Sequence, residues 1–126
     1  MDLKDNKKSE WERLIKSLSF AIQGIKTAYF SERNLQIHTL FSILVIICGF
    51  YFQITKYEWL IIILLIGGMI AFELFNTAVE KVVDLVTKDF HPLAKKAKDI
   101  AAGAVFIYAL TSVVIGLVLF LPYLIG

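Results

Sequence analysis

Residues 59–84 read WLIIILLIGGMIAFELFNTAVEKVVD. The first half, Trp59 to Phe72, carries no charge, and the second brings Glu73, Asn76, Thr77, Glu80 and Asp84 at steps of three and four. No Pro or loop signal separates the halves, so they are read as one long helix over 58–87, in which Gly67-Gly68 offers a close helix contact or a bend. Steps of three and four set the polar residues along one stripe, while Ile70, Phe72, Leu74, Phe75, Val79, Val82, Val83 and Leu85 cover the other faces. A carboxylate near the centre of a bilayer costs about 2.5–3.5 kcal/mol on insertion scales. Two on one stripe therefore need partners or a cation, and the chain is read as an all-α membrane protein.

Outward from this helix, the uncharged stretches Asn34 to Thr55 and Ile100 to Gly126 are each long enough for the roughly 20 helical residues that cross a hydrocarbon core. The expected spans are 34–55, 58–87 and 97–124, within one domain covering 1–126. Ahead of them, Trp11, Leu14, Ile15, Leu18, Ile22 and Ile25 fall near one face of 9–28, with Glu12, Arg13, Lys16 and Gln23 elsewhere. That pattern predicts an amphipathic helix at the membrane surface. Ser31-Glu32-Arg33-Asn34 is the expected turn into the first span, and His91-Pro92 the break before the third. The polar, charged segment Met1 to Trp11 gives no expectation of a cleavable secretory signal.

The chain is 58% hydrophobic over 126 residues, with mean hydropathy +0.72, more apolar surface than a soluble domain of this size can hide. Three short spans also leave little room for a private active site, so oligomerisation is expected. A formal net charge of +2 gives no reason to expect a nucleic-acid partner. The single Cys48 lies in an apolar run and reads as a small hydrophobe. Basic residues cluster before the first span and at Lys88, Lys95, Lys96 and Lys98, whereas Lys56 stands alone in the first loop. Positive residues favour the inside, which places the N-terminus and the Lys88–Asp99 loop in the cytoplasm, where nucleotide is available.

Two kinds of cation suit the stripe: Mg²⁺, which takes one or two carboxylates together with substrate phosphates, and the lysines of the 88–99 loop. Phosphoryl transfer needs charge neutralisation over the phosphates, a metal bridge and a carboxylate near the attacking hydroxyl. Those parts are present, but the sequence has no G-x-x-x-x-G-K-[ST] and no G-x-G-x-x-G, so any ATP site must be built from helix side chains. On these residues alone, a small oligomeric channel or proton carrier relaying through Glu73 and Glu80 stands beside a kinase. The Lys98-Asp99 pair and Glu32 favour the kinase, because a metal–nucleotide site uses them and a pore does not.

Glu73-Leu-Phe-Asn76-Thr-Ala-Val-Glu80-Lys-Val-Val-Asp84, followed by His91-Pro-Leu-Ala-Lys-Lys-Ala-Lys98-Asp99-Ile-Ala-Ala-Gly-Ala-Val, closely resembles the small bacterial membrane kinases that comprise diacylglycerol kinase and undecaprenol kinase. The likeness covers nearly the whole chain. It implies a helical-bundle homotrimer in the bacterial cytoplasmic membrane, with sites shared between subunits, ATP as co-substrate and Mg²⁺ as cofactor. Residue by residue, it implies Glu73 as the general base that meets the lipid hydroxyl, and Glu32 and Glu80 as metal-binding carboxylates beside the nucleotide. Asn76, Lys98 and Asp99 match residues lining the nucleotide site, Lys98 on a phosphate and Asp99 on the ribose or orienting Lys98. Asp89 and His91 match a loop reaching the adenosine, and Arg13 a surface-helix residue near the substrates. Phe20 stands where a relative has Tyr, so stacking is retained and a hydroxyl contact is not. Glu32-Arg-Asn-Leu-Gln-Ile-His38 and His91-Pro-Leu-Ala look like the Gram-positive branch, which makes undecaprenol the expected acceptor ahead of diacylglycerol.

Overall fold

The structure is a computed structural model that describes residues 3–126, with side chains from residue 9 onward. Four helices follow in order: α1 (Leu3–Ser31), α2 (Arg33–Phe52), α3 (Lys56–Val86) and α4 (Pro92–Ile125). The last three are long and apolar enough to cross a membrane. The helix expected over 9–28 runs further at both ends, and the turn expected at residues 31–34 shrinks to one residue. Glu32 alone is extended, at φ −115° and ψ 114°. Its N–H still donates to Ala28 O at 2.9 Å, and the Gln36 side chain reaches back to Tyr29 O at 3.0 Å. These two bonds tie the joint from both sides.

The turn between α2 and α3 follows from end chemistry. Gln53 takes the left-handed conformation at φ 52° and its N–H satisfies carbonyls at the end of α2. Thr55 then caps α3: its hydroxyl accepts from Glu58 N at 3.3 Å while the Glu58 carboxylate accepts from Thr55 N at 3.0 Å. Tyr123, near the end of α4, donates its hydroxyl to the same Glu58 carboxylate and closes this end of the bundle. Beneath it, Ile54, Ile62 and Leu119 form a buried cluster with Phe52, Trp59 and Phe120 against it. Gly49 lets the Trp59 ring in; a Cβ there would stand 2.7 Å from Trp59 Cη2.

α3 is one unbroken helix through Gly67-Gly68, and the two glycines differ in use. Gly67 faces open space, whereas Gly68 lies under the Tyr108 ring of α4. Tyr108 donates its hydroxyl to Leu64 O at 2.9 Å and tilts against Phe72 with centroids 5.1 Å apart. This notch pins α4 to α3 along their length, and it is the most extensive helix pair in the fold.

The third span begins earlier than the expected 97–124. Pro92 occupies the first helical position, where its missing N–H costs nothing, and the His91 imidazole Nδ1 accepts from Leu93 N at 3.1 Å as the cap. Lys95, Lys96, Lys98 and Asp99, expected in a cytoplasmic loop, therefore sit on the first turns of α4, and the connection is only residues 87–91.

The chain covers little of its own apolar surface. Its accessible area is 9988 Å², against about 6,800 Å² for a folded soluble monomer of this mass. Leu64, Phe75 and Val118 project outward, at 72%, 72% and 70% exposed. Trp11, Leu14, Ile15, Leu18, Ile22 and Ile25 of α1 are exposed as well. Lipid or further protein must cover such a surface. α3 sets the depth of the polar stripe. At 1.5 Å per residue Glu73 lies about 26 Å along α3 from Lys56, a length comparable to the roughly 30 Å of a hydrocarbon layer.

Candidate active site

α2 and α3 enclose Glu73. It is 2% exposed although it is an acid, and His38 of α2 places Nε2 3.1 Å from its Oε1. Thr77, also buried, does not contact the carboxylate; its hydroxyl donates to Glu73 O at 3.0 Å, one turn back along the helix. One turn further, Asn76 Nδ2 donates to Glu80 Oε1 at 3.4 Å. Asn76 Oδ1 is buried without a partner, an oxygen acceptor with nothing to accept from. Glu32 and Glu80 both lie within Coulombic range of Glu73. As the N-cap of α2, Glu32 makes no side-chain capping bond, so its carboxylate is not consumed by the helix end.

Glu73, Asn76 and Glu80 thus share one stripe of α3, with Glu32 at the α1–α2 joint in electrostatic range of Glu73. Among the described residues, no three His, Cys, Asp or Glu side chains are grouped as a ready metal cage. Mg²⁺ does not require one, since it usually keeps waters and binds one or two carboxylates plus phosphate oxygens. The orphaned Asn76 Oδ1 beside Glu80 supplies oxygen donors of the kind that fit such an ion.

The lysines pair differently from the expected arrangement. Lys98 Nζ reaches across to Asp84 Oδ1 of α3 at 2.7 Å, while Asp99 is held by Lys95 at 2.6 Å, one helical turn away. Asp99 therefore does not orient Lys98, because neighbours in a helix point to different faces. Lys98 is held instead one turn beyond Glu80, on the same side of α3. Asp89 and His91 lie in the α3–α4 connection, where the Thr87 hydroxyl accepts from Asp89 N at 3.2 Å and His91 caps α4. Arg13 and Phe20 are exposed on α1. Phe20 is about 18 Å and Arg13 about 28 Å along the helix from Glu32, and neither touches the Glu73 group among the described residues.

His38 is the residue beside Glu73 that the sequence left unassigned. Its signal was present, as the one basic or acidic side chain in the otherwise uncharged run Asn34 to Thr55. Its ring also stands at one end of an apolar cleft of about 540 Å³ between α2, α3 and α4, with Met69 beside it and Phe52 and Leu124 at the far end.

Residues 19–120 match the family described as prokaryotic diacylglycerol kinase. The chain is 51% identical to undecaprenol kinase of Bacillus subtilis (strain 168), over 98% of this chain and 100% of that protein. It is 36% identical to a diacylglycerol kinase of Synechocystis sp., over 95% of this chain and 71% of the relative. A diacylglycerol kinase of Helicobacter pylori is 35% identical over 75% of this chain and 73% of its own length. With a matched core that includes the whole Glu73–Asp84 stripe and three helices able to span a bilayer, this multi-pass membrane protein belongs to the prokaryotic diacylglycerol kinase family.

Proposed function

We propose that the chain is a lipid-alcohol kinase that transfers the γ-phosphate of ATP to undecaprenol. The observation that carries this reading is Glu73, an acid buried to 2% exposure on a helix long and apolar enough to cross a membrane, within reach of both a lipid hydroxyl and a water-borne nucleotide. The full-length 51% identity to an undecaprenol kinase supports the acceptor. The 540 Å³ cleft that opens beside His38 supplies an apolar path for a long hydrocarbon to bring its hydroxyl to this point.

In this mechanism Glu73 takes the proton from the lipid hydroxyl as its oxygen bonds to the γ-phosphorus, and the bond to the ADP bridging oxygen breaks. Glu32, Glu80 and Asn76 Oδ1 would hold Mg²⁺, which when bound neutralises charge on the phosphates. Lys98, already placed by Asp84, offers its ammonium to a phosphate oxygen. Asp99 belongs with the nucleotide through the ribose, and Asp89 and His91 with the adenosine. Arg13 and Phe20 act from α1, which lies on the membrane surface with Trp11, Leu14 and Leu18 in lipid. The N-terminus and the turn before α4 face the cytoplasm. Homotrimerisation covers the exposed faces of α3 and α4, and neighbouring subunits complete one another's sites.

Purified protein in mixed micelles, given Mg²⁺, ATP labelled at the γ-phosphate and a panel of undecaprenol, diacylglycerol and ceramide, tests both parts. Undecaprenol is expected to take the most label. Preferential labelling of diacylglycerol overturns the acceptor, and absence of label on every lipid overturns the kinase.

A further inference from the structure

The Glu73 carboxylate has three side-chain torsions and a buried setting, yet a general base works only if one oxygen points steadily at its proton. Nothing on its own helix fixes it. Thr77 directs its hydroxyl to the Glu73 backbone carbonyl. Lys98 is engaged by Asp84 and Lys95 by Asp99, so these two lysines of α4 are committed elsewhere. The contact to the carboxylate comes from α2, through His38 Nε2 at 3.1 Å from Oε1. α2 is itself well held at this level. Leu35, one turn before His38, is buried, and Ser42, one turn after, donates its hydroxyl to His38 O at 2.7 Å.

We propose that His38 is the positioning residue of the base: its Nε2–H donates to Oε1 of Glu73, fixes the rotation of the carboxylate, and leaves Oε2 to take the lipid proton. This rests on the reading of Glu73 as general base. The lipid O–H proton passes to Oε2, the lipid oxygen bonds to the γ-phosphorus, and ADP leaves with the electron pair of the broken bridge. His38 keeps its own proton throughout. Because the ring also borders the cleft, a hydroxyl arriving along that path meets the His38–Glu73 pair as one unit.

Two substitutions separate this role from simple packing. His38→Leu keeps apolar bulk in a membrane helix and removes the donor, whereas His38→Gln carries an amide N–H to nearly the same place. Steady-state kinetics on undecaprenol and ATP, with a thermal melt of each protein, give the readout. His38→Leu is expected to lower kcat about 100-fold with both KM values nearly unchanged, the size of effect that follows from a misplaced base. His38→Gln is expected to restore kcat to within about tenfold of the parent, because it returns the hydrogen bond. Parental kcat in His38→Leu overturns the proposal, as does equal loss in both variants together with a lowered melting temperature. If the unsubstituted protein phosphorylates no lipid, the kinase reading has failed and the proposal with it; an active parent with an unaffected Leu variant sinks the His38 role alone.

Discussion

Lys98 of α4 and Asp84 of α3 face each other at 2.7 Å across the antiparallel pair, fourteen residues apart in the chain. Both side chains are well exposed, so solvent screens the pair and it adds little to folding. Its value lies in placement. Asp84→Asn is expected to leave the melting temperature almost unchanged while raising KM for ATP, since Lys98 then loses its anchor; an unchanged KM would show that Lys98 finds the phosphate without Asp84.

Glu73→Gln removes the proton acceptor and keeps the shape. The expected loss in kcat is about 10²- to 10⁴-fold, with nucleotide affinity largely preserved because the proposed site assigns the phosphates and adenosine to other residues. Lipid phosphorylation at the parental rate by the purified variant would remove Glu73 from the role of base.

Glu80→Gln and Asn76→Leu act on the oxygen set around the buried Asn76 Oδ1. Each is expected to raise the Mg²⁺ concentration needed for half-maximal activity, with Glu80→Gln the larger because a charge is lost. Titration of Mg²⁺ at fixed ATP measures this, and superimposable curves for parent and Glu80→Gln would exclude Glu80 as a ligand.

Gly67 and Gly68 should diverge under the same substitution. An added Cβ at Gly67 meets nothing within 4 Å, so Gly67→Ala is expected to be neutral or stabilising by up to about 1 kcal/mol through helix propensity. At Gly68 the methyl runs into the Tyr108 ring and its bond to Leu64 O, and Gly68→Ala is expected to cost about 1–3 kcal/mol. Comparative melts in the same detergent decide it, and equal behaviour of the two would mean that the Tyr108 notch does not hold α3 to α4.

The spans were legible because apolar runs bounded by charge have little freedom in a bilayer. The end of α3 came within a residue of expectation, at Val86 against Thr87. α4 was misjudged at its start, where Pro92 and a lysine-rich run resemble a loop, yet Pro at the first helical position is a helix signal. The stripe from Glu73 to Asp84 was legible in the same way, since steps of three and four fix a helical face. What the sequence could not give was pairing between helices. Whether Lys98 meets Asp99 or Asp84, and whether His38 meets Glu73, depends on the relative rotation and register of helices far apart in the chain, and no local periodicity encodes that.

The single extended residue at Glu32 divides two long rods with no slack between them. A rotation of about 10° at that elbow would scarcely move the Glu32 carboxylate, yet would sweep Arg13 through about 5 Å. Groups at the pivot are fixed by the fold alone. Those out along the arm take their position from whatever α1 rests upon, so the stiffness of that support sets how sharply Arg13 and Phe20 are aimed.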